Sequence, residues 1–306
     1  MKRILIVSFL FVLTFTNVDL FSQVQSGWNW VNPKPQGNHL TTIAYLNNNI
    51  IVAAGWNGAI IRSSNGGVDW SYYRYNTTRD FRKLKFNNQN TGFVVGDSSL
   101  FLKTTDSGIS WTRLPIFSAE NFYDIHFVDA NTAYVSSNQR ILKTTNGGNN
   151  FVPLTNFTGL CIQFLDVNTG FCGGVGVIKT TNAGVNWINV ANFTAYGGYF
   201  FDSDNGLLTG TDSIFRTTNG GVSWSSSPKF SYYPITTMKF VNSNTGFASA
   251  FFGDKLYKTT DGGSNWSQSI MQNPELALSG VDFTNGNDIV AVGRYGLIEK
   301  TTNSGN

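Results

Sequence analysis

The sequence predicts an all-β fold, a seven-bladed β-propeller whose blades are each four antiparallel strands. Three observations predict it. The first is composition: 306 residues, 15% aromatic, 13% charged and with 32 glycines, a mixture that suits short strands on tight turns, with no window of sustained helical period. The second is a motif, Thr-Thr-Asn/Asp-Gly-Gly-x-x-Trp, that returns along the whole chain. The third is closure: half of that motif stands at the N terminus, ahead of the first whole copy.

The first segment is a different text. Lys2-Arg3, a nearly unbroken apolar run over residues 4–16 and a small-residue site at Leu20-Phe21-Ser22 predict a secretory signal peptide at 1–22. The run is short for a membrane span, and nothing later resembles one. The protein is therefore expected outside the cytoplasm: periplasmic, at the cell surface or released. Without Lys2, Arg3 and Asp19 the formal charge falls from +3 to +2. No basic cluster is visible of the kind that nucleic acid needs.

Residues 23–306 then read as one propeller. The motif begins as Ser63-Ser64-Asn65-Gly66-Gly67-Val68-Asp69-Trp70 and returns as Thr104-Thr105-Asp106-Ser107-Gly108-Ile109-Ser110-Trp111. Further copies start at Thr144, Thr180, Thr217 and Thr259 and end in Phe151, Trp187, Trp224 and Trp266. A seventh starts at Thr301 and reaches Asn306. Starts lie 36 to 42 residues apart, the size of one four-stranded blade.

A second motif accompanies the first. Phe86-Asn87-Asn88-Gln89-Asn90-Thr91-Gly92-Phe93 recurs at 164–171 and 240–247, each copy an apolar strand, an Asx/Gly turn and a second strand. Strands A and B thus flank this turn, C enters the Thr-Thr motif and D leaves it. Gly27-Trp28-Asn29-Trp30 repeats the Gly-x-x-Trp half, with Trp30 40 residues before Trp70. The N-terminal strand is expected to serve as strand D of the last blade, whose A, B and C strands come from about 279–302. This closure leaves no long unpaired edge. The stop in mid-motif predicts a chain cut at its C terminus.

The motif resembles the Asp-box of bacterial neuraminidases and related propellers. Its Asx accepts turn N–H groups, Gly takes the positive-φ position, and Trp70, Trp111, Phe151, Trp187, Trp224 and Trp266 fall between neighbouring sheets. A catalytic reading fails on the copies. Asn65, Asn146, Asn182, Asn219 and Asn303 cannot act as bases, and only Asp106 and Asp261 are acidic. The Asx positions are expected to be structural.

Taken together, Phe-x-Asn/Asp-x-Asn-Thr-Gly-Phe through Lys-Thr-Thr-Asp-Gly-Gly-x-x-Trp resembles the photosystem II stability/assembly factor-like family of propellers. The resemblance spans the mature chain. It implies the fold and a binding or scaffolding role, while similar repeats in secreted bacterial proteins leave the partner open.

The D–A and B–C loops lie at the end opposite the motif turns, and their residues are the least repetitive. They offer His39, Trp56, Arg79, Arg82, Tyr123, Arg140, Tyr196, Tyr233, Arg294 and Tyr295 as candidate binding residues for a glycan, peptide or acidic tail. Asp97, Glu120, Tyr232, Asp212, Asp254 and Glu275 lie in the same loops. A neuraminidase-like hydrolase is the first alternative, with Glu120 and Glu275 as its carboxylate pair. Against it stand seven blades rather than six and no Arg-x-Pro ahead of the first turn. The second alternative is an adhesive or spacer module of a longer surface protein. Neither metal nor other cofactor is expected, and a monomer is. His126, on a strand A, is expected to be a packed strand residue. Cys161 and Cys172 flank one A–B turn, which leaves two states open, a disulfide or two buried thiols.

Overall fold

The computed structural model describes residues 28–30, 37–115, 119–211, 213–228, 231–250, 255–269 and 277–304. The expected signal peptide at 1–22, and Asp212, Asp254 and Glu275, lie outside them. Seven four-stranded antiparallel sheets succeed one another along the chain, and no described helix is long and apolar enough to cross a membrane. In blade 2, for instance, strands A to D are Phe81–Phe86, Gly92–Gly96, Phe101–Thr104 and Thr112–Arg113. Strand A lines the axis and the exposed strand D forms the rim.

The last sheet closes the ring. Its A, B and C strands are Leu278–Phe283, Ile289–Gly293 and Ile298–Thr301, and its D strand is Trp28–Trp30. The register corrects one detail of the expectation. Asn29 pairs with Lys300 and Trp28 with Thr301, whereas in blade 1 Ser71 pairs with Arg62. Asn29 therefore takes the place of Ser71. Trp28, rather than Trp30, takes the place of Trp70.

One hydroxyl organises each repeat turn. Ser63 and the first Thr of every other copy are buried. In six copies this side chain accepts the N–H four residues on at 2.8–3.0 Å. In all seven it donates to the Asx Oδ1 at 2.7–3.1 Å. That oxygen in turn accepts the N–H four residues further along in six copies, at 2.8–3.0 Å. The residue after the Asx docks its N–H on the A–B turn at 2.8–3.2 Å in every blade. Both turns therefore sit at one end of the molecule.

The A–B turns are more regular than their sequence. Asn47, Asn88, Asp129, Asp166, Asp202, Asn242 and Asn285 each accept the N–H groups two and three residues on. Only three of these seven stand out as a sequence motif. The glycine that ends that motif is not a turn residue: Gly92, Gly170 and Gly246 open strand B. A Cβ there would come within 2.6–2.8 Å of Phe86, Phe164 or Phe240. The glycine is required by the phenyl ring lying over it.

Among the described residues seven apolar clusters hold the blades together, and each is shared by two neighbours. Trp111 of blade 2 joins Val52 and Ile60 of blade 1, and Trp70 of blade 1 joins Val290 and Ile298 of blade 7. Trp187, Trp224, Trp266 and Phe151 repeat the arrangement. A second link runs the other way. The cation before each motif donates to a carbonyl in the next blade's turn: Arg62 to Ser107, Lys103 to Gly147, Lys143 to Ala183, Lys179 to Gly220, Arg216 to Gly262, Lys258 to Ser304 and Lys300 to Gly66, at 2.5–3.0 Å.

Cys161 and Cys172 are free thiols. Cys161 pairs with Gly173 and Cys172 with Ile162. The cysteines are therefore one residue out of register and on opposite faces of the hairpin, which rules out the disulfide. Burial pushes the Cys161 thiol up to about 12.

Candidate functional site

The seven A strands enclose an axial channel of 530 Å³. Because successive strand residues alternate faces, one repeat position supplies a ring around it: Ala44, Lys85, His126, Gln163, Tyr199, Lys239 and Asp282. Two positions earlier lie Thr42, Lys83, Asp124 and Cys161.

Several of these side chains tie one A strand to the next. Asp124 Oδ2 accepts Ile162 N–H and Asp282 Oδ2 accepts Tyr45 N–H, both at 3.0 Å. Gln163 bonds both the N–H and the carbonyl of Phe200 at 3.0 Å, and Thr42 Oγ1 accepts Leu84 N–H at 3.1 Å. The charges are arranged in pairs: Lys83 Nζ lies 3.7 Å from Asp124 and Lys239 Nζ 2.5 Å from Asp282. His126, expected as an ordinary packed residue, is half-buried in the channel wall, its Nδ1 3.5 Å from Lys85 Nζ. Burial, and then the Lys85 charge, hold this imidazole well below its usual range, so it is neutral.

Of the ten candidate residues, Trp56, Arg82, Tyr123 and Tyr196 line the channel at its D–A/B–C mouth. Arg82 grips both carboxylate oxygens of Asp97, and its guanidinium lies 5.1 Å from the Tyr123 ring centroid. Asp80, also at the mouth, is raised by burial and by the Asp97 charge, against a hydrogen bond from Asn57 N–H. The His39 ring lies 4.7 Å from that of Trp56, tilted by 46°, and bonds Ser279 Oγ at 2.7 Å. Burial, with Arg294 nearby, lowers its imidazole to about 4.

The remaining candidates are elsewhere. Arg79 is exposed and donates to Ser98 O at 2.8 Å, stitching blade 2 to its own B–C loop. Tyr233 and Tyr295 are exposed in a D–A and a B–C loop and do not line the channel, Tyr295 68% exposed and at φ 54, with Tyr232 87% exposed beside Tyr233. Arg140 is committed. Its Nε lies 2.8 Å from Glu120, whose other oxygen accepts Ser137 Oγ–H at 2.5 Å, and Glu120 is 1% exposed. Glu120 is thus a buried structural ion-pair partner, not a carboxylate open to a substrate. Among the described residues no group of three His, Cys, Asp or Glu converges on a metal position.

The sequence reading missed Lys83, Lys85, Asp124, Gln163, Lys239 and Asp282. A signal was present, since all fall at two fixed positions of strand A.

The family model of the photosynthesis system II assembly factor YCF48 matches residues 14–105. Among curated proteins none matches the sequence. Similar solved structures include YCF48 bound to D1 peptide, at 15% identity and a TM-score of 0.74 over 90% of this chain and 97% of that one. Virginiamycin B lyase from Staphylococcus aureus aligns at 12% identity and a TM-score of 0.75, over 90% and 98%. The GH74 enzyme of Niastella koreensis aligns at 14% and 0.69, over 88% of this chain and 53% of that one. At these identities the likeness is one of fold. The chain is thus a seven-bladed β-propeller that, over residues 14–105, is similar to the photosystem II assembly factor family.

Proposed function

We propose that the protein is an exported, non-enzymatic binding propeller that holds a segment of another polypeptide across its D–A/B–C mouth. The observation that carries this reading is the mouth itself. Trp56, Tyr123 and Tyr196 line the opening of a preformed channel, and aromatic faces beside an ion-paired arginine suit a peptide backbone and its side chains. The structure of YCF48 bound to D1 peptide supports a polypeptide rather than a glycan as the occupant. A hydrolase needs two carboxylates open to its substrate. Glu120 is sealed by Arg140 and Ser137, and the two aspartates at the channel centre, Asp124 and Asp282, are paired with lysines. The apolar run at residues 4–16 after Lys2-Arg3 supports export.

The test is a panel of extended peptides, acidic, basic and apolar, titrated against the chain with tryptophan fluorescence as the readout. One class is expected to bind. Trp56→Ala and Tyr123→Ala should each weaken it about tenfold or more, as truncation of an interface aromatic does, with the thermal midpoint little changed. Unchanged affinity in both variants would place the site elsewhere. Turnover of a glycoside panel by the wild-type chain would overturn the non-enzymatic reading.

A further inference from the structure

The centre of the axial channel carries one more positive than negative charge. Three ammonium groups, on Lys83, Lys85 and Lys239, share it with the carboxylates of Asp124 and Asp282. Both carboxylates are occupied, Asp124 by Lys83 and Asp282 by Lys239, and each also accepts a backbone N–H from the next A strand. Lys85 forms no ion pair among the described residues. Its amine meets the Nδ1 of His126 at 3.5 Å. A neutral imidazole with its proton on Nε2 accepts one ammonium N–H there and leaves two directed elsewhere.

We propose that the channel is a binding site for a small monocarboxylate with an apolar body. The carboxylate accepts from the Lys85 ammonium. The body runs toward the mouth, against Tyr123, Leu160 and Tyr196. One negative charge is the complement of the surplus, and a volume of 530 Å³ lies within the range of small-molecule sites. The cost of keeping Lys85 charged in this place is visible in its titration. Burial draws it down to about 8, Lys83 and Lys239 acting in the same direction and Asp124 and Asp282 against it. A bound anion relieves that cost, which is a source of affinity. The inference goes beyond the polypeptide reading and does not rest on it.

The probe is benzoate, with benzamide as its uncharged counterpart, titrated calorimetrically into the full chain. Saturable benzoate binding is expected, about tenfold or more weaker for benzamide and for Lys85→Met, the loss of one charge-assisted hydrogen bond. Benzoate should also move the Lys85 titration midpoint upward, read by NMR at the side-chain carbon next to the amine. Equal affinity for benzoate and benzamide, retained binding in Lys85→Met, an unmoved Lys85 midpoint or no saturable binding at millimolar benzoate each overturns the proposal. The benzamide comparison and the NMR midpoint use the wild-type chain, so the test stands even if Lys85→Met does not fold.

Discussion

Asp261 and Asn219 occupy the same place in two copies of one turn and accept the same N–H groups, yet only one of them titrates. The backbone N–H of Asn265, its side-chain amide and the Thr259 hydroxyl hold Asp261 at about 2, below its ordinary 3.8. A depressed folded-state carboxyl stabilises above its unfolded value and loses that contribution as pH falls through the folded one. The window is therefore from about pH 4 down to about pH 2. Asp261→Asn keeps the accepting Oδ1. Its thermal midpoint is expected to lie below wild type near neutrality and to fall less steeply between pH 4 and 2, so that the two converge in acid, in a pH series of melts; identical acid slopes would refute the assignment. The Asx was legible in the sequence because it alternates between two look-alike residues. The hydroxyl of Ser63 or Thr144 was not recognised as the hub, because a Thr-Thr pair in a strand-forming sequence also reads as simple β-propensity.

At the scale of the element, the A–B hairpin shows how a local rule and a packing rule were confused. Asn-Thr-Gly reads as a turn, and the turn is there, but it is made by the Asx three residues before Thr. The glycine sits in strand B under a phenyl ring. Gly246→Ala, which favours a strand by propensity alone, is expected to destabilise by about 1–3 kcal/mol through overpacking, because its Cβ would lie 2.6 Å from Phe240. In a double-mutant cycle read by urea unfolding, Phe240→Leu should recover part of the loss; strict additivity would show that the ring is not the cause. The blade count and the closing strand could be read because they repeat. The channel was not read, because Lys85, His126, Gln163, Tyr199, Lys239 and Asp282 share a position and little chemistry. A search for likeness passes over a site built from residues that differ from blade to blade.

For the whole molecule, two kinds of interblade link run in opposite senses. Aromatic residues of the repeat turn pack back onto the preceding blade, while Lys and Arg before the turn reach forward to the next. The ring has the same bonds at its seam as elsewhere, Lys300 reaching Gly66 at 2.5 Å. The covalent break lies inside blade 7, whose strands C and D pair without a turn between them, so its A, B and C strands are held to blade 1 by packing and by bonds such as this one. Lys300→Met is therefore expected to speed amide exchange in Leu40–Tyr45 and Trp28–Trp30, whereas Lys143→Met should speed exchange only around blades 3 and 4. Equal and local effects in both would mean that the seam is no weaker than any other joint.

The direction of the aromatic packing also sets an order in time. A chain emerging from its N terminus delivers each new tryptophan to a blade already made. Trp111 finds blade 1 waiting, and Trp187 finds blade 3. Trp70 has no such surface until Val290 and Ile298 arrive. The first blade is the last to be covered, and its final contacts, such as that joining Lys300 to Gly66 across a separation of 234 residues, are among the most distant the chain has to make. Folding thus ends where synthesis began, on a slow long-range step during which the oldest part of the protein holds an apolar face open to water.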